Sequence, residues 1–415
     1  MIYIVFSKRD ELMMHAVGIK EIQQYAHLKD FLPLLEQRGT VVVVREAQRE
    51  IKPIHKFLDY VEQDCLYIFF SPPDGPYSKM ECPKMFIAQI DPEDAHSISV
   101  SGMQASLAGV TFGQASLELL QQKPHQGLLV ECIPPPVWDE FEQLHDKEPI
   151  DRSTSSYSIE TNGNIIDTYL PSLRPESVRY AIPLASRVRS VISAFLYYKT
   201  DIYGLRKFIG RRRRDRFFAT KIELTGIVYT AIVNPKRQHK NWKSLILEFC
   251  TAFEKVRDAT LIVKMVGPIE YKTQKAALRL LRNLSVHCRV IVIFCHLFED
   301  QYKALIQSST FIVKASDSKG GGSSLLQFMS AGKPAISSAQ GDEWPLNRNN
   351  AFLANSPTST LRQLFTESYD LAKNSPDQYH LMAQNATNTL RSYCSIATIT
   401  PQFNALMDAV EAKLP

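Results

Sequence analysis

The chain has 415 residues, 45% of them hydrophobic and 22% charged. That balance excludes a disordered chain and exceeds what one ordinary core encloses, so two domains are expected. A net charge of +5 is modest, and no run of about 18 uncharged apolar residues occurs, which excludes a spanning helix.

In chain order, Met1 to Phe6 predicts a first buried strand. It meets charge at once in Lys8, Arg9 and Asp10, too soon for a signal-peptide apolar region, so a cytoplasmic location is expected. The β-branched run 40–45 and the runs 65–71, 84–89 and 127–131 read as further strands. Helical stretches near 20–36, 55–63 and 113–122 lie between them, an alternation that predicts an α/β sheet. Residues 133–138, Ile-Pro-Pro-Pro-Val-Trp, form a rigid extended exit from this part. Next comes a Ser-, Thr-, Asp- and Pro-rich stretch over 145–180. Its Asn162-Gly163 pair, between 157–160 and 165–169, predicts a small type I′ hairpin.

The expected domains are 1–175, with that hairpin near 157–169; a basic connecting segment, 176–222; a second α/β domain, 223–395; and a terminal helical segment, 396–415. In the second domain, strand-like runs recur at 226–233, 259–265, 289–294, 310–314, 334–337 and 351–354. Helical runs lie at 242–256, 274–282, 299–307 and 323–331, with terminal helices at 361–372, 377–392 and 401–414. A crossover helix between strands is what a doubly wound parallel sheet requires.

The seven cysteines show no paired spacing and read as reduced core thiols, and the ten histidines form no metal-ligand pattern. No protein-bound metal is expected. Arg187, Arg189, Lys199, Arg206, Lys207, Arg211 to Arg214, Arg216 and Lys221 face only Asp201 and Asp215 across 187–221. With the largely apolar stretch 181–198 they read as an element for an anionic membrane surface, or as a connecting helix with a solvated basic face. No nucleic-acid motif accompanies the cluster, so nucleic acid is not expected.

Ligands of open α/β sheets bind at the carboxyl ends of the strands, and three sequences stand out there. Asp317 to Pro334 follows a strand and opens a helix through Gly320, Gly321 and Gly322, with Ser323 or Ser324 as cap. This is a candidate diphosphate site, or a tight turn without a ligand. The loop of Asn234, Lys236, Arg237 and Lys240 gathers cations that can hold phosphate oxygens, or is a solvated basic loop. Lys264 ends an apolar strand, where it needs a partner, either a ligand or a salt bridge.

These segments (Asn-Pro…Lys-Asn-Trp at 234–242, Asp-Ala-Thr-Leu-Ile-Val-Lys-Met at 258–265, Phe-Met-Ser-Ala-Gly-Lys-Pro-Ala-Ile at 328–336) resemble the C-terminal domain of retaining GT-B glycosyltransferases. The closer likeness is to the group 1, family-four-like branch that builds bacterial surface polysaccharides. The resemblance covers about half the chain. It implies two Rossmann-like domains facing a cleft, a UDP- or GDP-linked sugar as co-substrate with no cofactor, and a glycan, lipid-linked or protein acceptor. Donor contacts would come from Asn234, Arg237, Lys240, Lys264, Gly320 to Ser324 and Gln327. Two glutamates with seven residues between them are usual in that branch, and Lys319 and Gln327 stand in their places. A glutamine still serves a ribose hydroxyl, whereas Lys319 can only neutralise phosphate. The replacement leaves a second expectation open, an inactive glycosyltransferase-like subunit that binds a partner or glycan. No catalytic residue is assigned. His15, His55 and His96 have a base's chemistry, and Asp342 and Glu343 are the local carboxylates an epimerase would need.

Overall fold

The computed structural model describes residues 2–6, 26–38, 41–45, 66–69, 84–88, 106–112, 114–121, 128–148, 154–161, 165–169, 220–235, 242–266, 271–284, 287–314, 322–340, 345–354 and 360–413. Its first sheet contains β1 (Ile2–Phe6), β2 (Val41–Arg45), β3 (Leu66–Phe69), β4 (Lys84–Ala88), β5 (Ala108–Thr111) and β6 (Leu129–Cys132). The helices α1 (Ala26–Arg38) and α2 (Gln114–Gln121) belong to the same part of the chain. All these strands pair in parallel, in the order β2-β1-β3-β4-β5-β6. Buried parallel strands are apolar on both faces, and Met85, Phe86, Ile87 and Val110 accordingly lie in the interior. The short strand β5, Ala-Gly-Val-Thr, has only Val110 and Thr111 as strand formers and is not among the sequence expectations.

The chain leaves this sheet through the buried residues 133–137 into a short helix, α3 (Trp138–Phe141). Two strands follow, β7 (Ser156–Thr161) and β8 (Ile165–Asp167), and then β9 (Thr220–Thr225). The hairpin expected around Asn162-Gly163 is not made. β7 pairs antiparallel with β9, and β8 pairs antiparallel with β12 (Arg289–Ile293). The physical reason is burial: Ile159 of β7 joins Ile222 and Leu224 of β9 in the core of the second sheet. Asp167 of β8 is buried against Arg289, with Nε–Oδ1 at 3.1 Å and a second contact to Oδ2 at 2.6 Å. Long-range partners outcompete the local turn. Residues 154–169 therefore belong with the second sheet and not with the first, as the boundary at 175 had implied.

The second sheet has the order β15-β14-β13-β10-β11-β12-β8. Its strands are β10 (Ile227–Val233), β11 (Ala259–Met265), β13 (Phe311–Lys314), β14 (Ala335–Gln340) and β15 (Ala351–Ala354), besides β12 and β8. Four helices connect them: α4 (Trp242–Ala252), α5 (Tyr271–Arg282), α6 (Glu299–Ser308) and α7 (Ser323–Ser330). Alternation along each strand divides the side chains between two cores. Leu261, Val263 and Met265 pack with α4 and α5, whereas Val228, Ile262 and Ile312 pack with α6 and α7.

Three terminal helices close the molecule: α8 (Leu361–Asn374), α9 (Pro376–Cys394) and α10 (Ile396–Glu411). α10 returns to the first sheet, where Ile399, Phe403, Leu406, Met407 and Val410 share a core with Phe31, Ile68 and Met85. The two passages between the sheets are tied together. Trp138 Nε1 donates to the Thr387 carbonyl at 2.9 Å, and Asp139 Oδ2 accepts from the Ile396 backbone N–H at 2.6 Å. Lys333, fully buried, pairs with Asp146 at 3.1 Å. The five described cysteines are free thiols, and no helix among the described residues is long and apolar enough to cross a membrane.

Candidate functional site

The strand order reverses direction at β10: the chain adds β11 and β12 on one side, then returns to add β13 and β14 on the other. At such a switch point neighbouring connections leave on opposite faces and open a crevice at the carboxyl ends. The register shows the opening. β10 and β13 pair at Tyr229–Phe311 and Thr230–Ile312, yet β10 runs on to Val233 and β13 to Lys314.

Two lysines flank this opening. Lys264 follows Ile262 by two residues and Lys314 follows Ile312 by two, so both project on the face covered by α6 and α7. They are only 2% and 8% exposed. Among the described residues, the hydrogen bond of the Lys264 ammonium is to the Met265 carbonyl, at 2.7 Å. Burial holds its pKa down to about 8, since the low dielectric disfavours the charged form. His296, just beyond β12, is pushed down to about 4 by burial and by the nearby Lys264 cation, so it is a neutral imidazole at pH 7. A desolvated ammonium with a carbonyl as partner leaves strong unused attraction for an anion.

The helix that opens beside Lys314 is α7. Gly322 is its N-cap in an extended conformation, with no side-chain cap. Ser323 and Ser324 occupy the first turn, half-buried. The cap expected from one of these serines is therefore replaced by the glycine, which leaves first-turn N–H groups for another acceptor. Gln327 is 6% exposed, and its Oε1 accepts from Tyr302 Oη of α6 at 2.8 Å.

The structure thus brings Lys264, Gly322, Ser323, Ser324 and Gln327 to the carboxyl edge, and Asn234 follows β10 there, half-buried. Arg237, Lys240, Lys319, Gly320 and Gly321 lie outside the described residues, as do His15, His55, His96, Asp342, Glu343 and nearly all of the basic segment. Lys314 and Tyr302 join the site without having been singled out. For Lys314 the signal was available, because it ends an apolar strand just as Lys264 does. For Tyr302 there was none, since a tyrosine in an amphipathic helix reads as core. Among the described residues no group of histidines, cysteines and carboxylates is arranged to hold a metal.

No protein-family model matches the chain, and no curated protein matches it. Solved structures do match, over nearly the whole chain. Anabaena HepE in complex with UDP-glucose is 12% identical and aligns over 98% of this chain and 99% of its own, with a TM-score of 0.58. The sucrose-phosphate synthase of Thermosynechococcus elongatus is 10% identical over 99% of each chain, with a TM-score of 0.57. A glycosyltransferase from Rickettsia africae is 10% identical over 99% of this chain and 98% of its own, at 0.53. At such identities the likeness defines the fold, and the fold is GT-B: two Rossmann-like α/β units joined by a double passage.

Proposed function

We propose that the chain is a glycosyltransferase that takes a sugar from a UDP- or GDP-linked donor and passes it, with retention, to a glycan, lipid-linked or protein acceptor. The observation that carries this reading is the pair of buried lysines, Lys264 and Lys314, on one face of the sheet beside the crevice between β10 and β13. In the transfer, the bond from the sugar C1 to the diphosphate oxygen breaks and the electron pair leaves with the diphosphate. The acceptor oxygen bonds to C1, and its proton ends on the freed diphosphate or on solvent. Negative charge grows on the leaving group, where fixed cations and a helix N-terminus stabilise it most. In this reading Lys240, Arg237 and Lys319 add to that field, and no metal is needed. The HepE structure holds UDP-glucose, which makes UDP the first nucleotide to try.

The segment 187–221 supplies a second contact in this reading, with an anionic membrane surface on the cytoplasmic side. Residues 170–219 carry 12 basic and 3 acidic residues, while the remainder of the chain carries 36 basic and 40 acidic. Each basic residue near such a surface contributes about 1 kcal/mol. Sedimentation with acidic liposomes at low salt is expected to carry the protein down, and protein left in the supernatant removes this contact.

Thermal unfolding with UDP, GDP, CMP and their sugar conjugates tests the donor site. A ligand at a hundred times its Kd stabilises by about 2.7 kcal/mol, a visible rise in Tm. The rise is expected with one nucleotide and is expected to vanish in Lys240→Ala and Lys264→Met. Wild-type protein that responds to none of them would instead be the inactive, partner-binding subunit.

A further inference from the structure

Tyr302 and Gln327 lie within the first two turns of α6 and α7, two helices on the same face of the sheet, and are joined by a buried side-chain hydrogen bond. Both are more than nine-tenths buried. The phenol is held from the side as well. Its ring meets Phe328 edge-on, with centroids 6.1 Å apart and planes at 75°, which packs it on that side. Gln327 Nε2, by contrast, has no hydrogen bond among the described residues and is not among the fully enclosed atoms that lack one. The amide nitrogen is therefore partly accessible and keeps its donors for another acceptor.

We propose that Tyr302 is a positioning residue of the donor site, which fixes the Gln327 amide with its NH2 toward the ligand and so makes this position a hydrogen-bond donor. The proposal rests on the nucleotide-sugar reading above. A phenol oxygen is a weaker acceptor than an amide carbonyl, so the favourable pairing has the phenol donating to Oε1. That pairing leaves the two N–H groups for the ligand. A carboxylate in the same place accepts only. The ligand atom met here must then offer a lone pair, and a ribose oxygen does so whether or not it carries a proton.

Calorimetric titration of UDP and GDP into wild type, Tyr302→Phe, Gln327→Ala and the double variant tests the positioning. Loss of one neutral hydrogen bond corresponds to about a three- to tenfold change. Tyr302→Phe is expected to weaken binding by that factor in the wild-type background and to add nothing once Gln327 is alanine. Additive losses, or a Tm change with no change in Kd, overturn it. The donor assignment is read from the 2′-O-methyl and 3′-O-methyl nucleotides, which keep the oxygen lone pairs and lose the proton. Gln327→Glu retains the Tyr302 bond but turns an acceptor to the ligand. The preference for the free hydroxyl over its methyl ether is expected to be at least about threefold larger in Gln327→Glu than in wild type. Equal preferences overturn the assignment. Tyr302→Phe keeps the packing on Phe328. A Tyr302→Phe variant that fails to fold makes Tyr302 a structural residue and overturns its positioning role, while the methyl-ether comparison, which leaves Tyr302 in place, still decides the donor assignment. Wild type that binds neither UDP nor GDP removes the nucleotide reading and this inference with it, whereas nucleotide binding with equal preferences and additive losses removes this inference only.

Discussion

In the donor-site reading, Lys264 sets function against stability. Its pKa in the folded chain is about 8, against about 10.4 when unfolded, a gap worth on the order of 3 kcal/mol. Because the folded value is the lower one, the unfolded chain binds more protons between pH 8 and 10.4. Stability therefore rises with pH across that window, and the penalty is complete below pH 8. Lys264→Met removes the buried charge. At pH 7.5 it is expected to raise the unfolding free energy of the ligand-free protein by about 1–3 kcal/mol, with the gain shrinking toward pH 10, as urea titration would read. The same variant is expected to lose its response to nucleotide. A lysine present only for a salt bridge would give the opposite sign, a loss of stability. The residue type and place of Lys264 were legible in the sequence, whereas its partner was not, because burial and the orientation of neighbouring groups are set by the whole sheet. Gln327 teaches the same point. Its position was readable, but the direction of its amide depends on Tyr302, 25 residues earlier and in another helix.

Among the elements, the second sheet followed its sequence closely. The runs expected at 259–265 and 351–354 have those bounds in the structure, and the helix expected over 323–331 spans Ser323–Ser330. These strands are mostly apolar and largely buried, so local pattern and tertiary need agree. The C-terminus of α7 adds a backbone requirement. Gly332 has φ +68, with its N–H bonded to the Met329 carbonyl and that of Lys333 to Phe328, a Schellman ending. A Cβ on Gly332 would fall 1.9 Å from His145 Nδ1. Gly332→Ala therefore meets both left-handed strain and a clash, and is expected to cost at least 1–2 kcal/mol in urea denaturation. The failure at Asn162-Gly163 is of another kind, because a turn signal says nothing about which strands lie within reach. Asp167→Ala, which strands Arg289 without its carboxylate partner, is expected to cost about 3–5 kcal/mol and to loosen β8, seen as faster amide exchange at Ile165 and Ile166.

For the whole molecule, α10 makes the two halves interdependent. Phe403 is fully buried, with its ring 5.7 Å from that of Phe31 in α1. Phe403→Ala is expected to cost about 3–5 kcal/mol, and the damage should appear first as protease cleavage in the first sheet, far from the substitution in sequence. None of this docking was visible beforehand. An amphipathic helix shows that it has an apolar face, and the surface that receives the face must be found in three dimensions.

That arrangement also bears on how the protein is made. During synthesis domains fold as units in the order they emerge, but here the first sheet lacks one wall of its core until Ile399 to Val410 have left the ribosome. The later-synthesised half, whose core holds β10 to β15 with α4 to α9, can close around itself sooner. The core of the first sheet is then completed against the direction of translation.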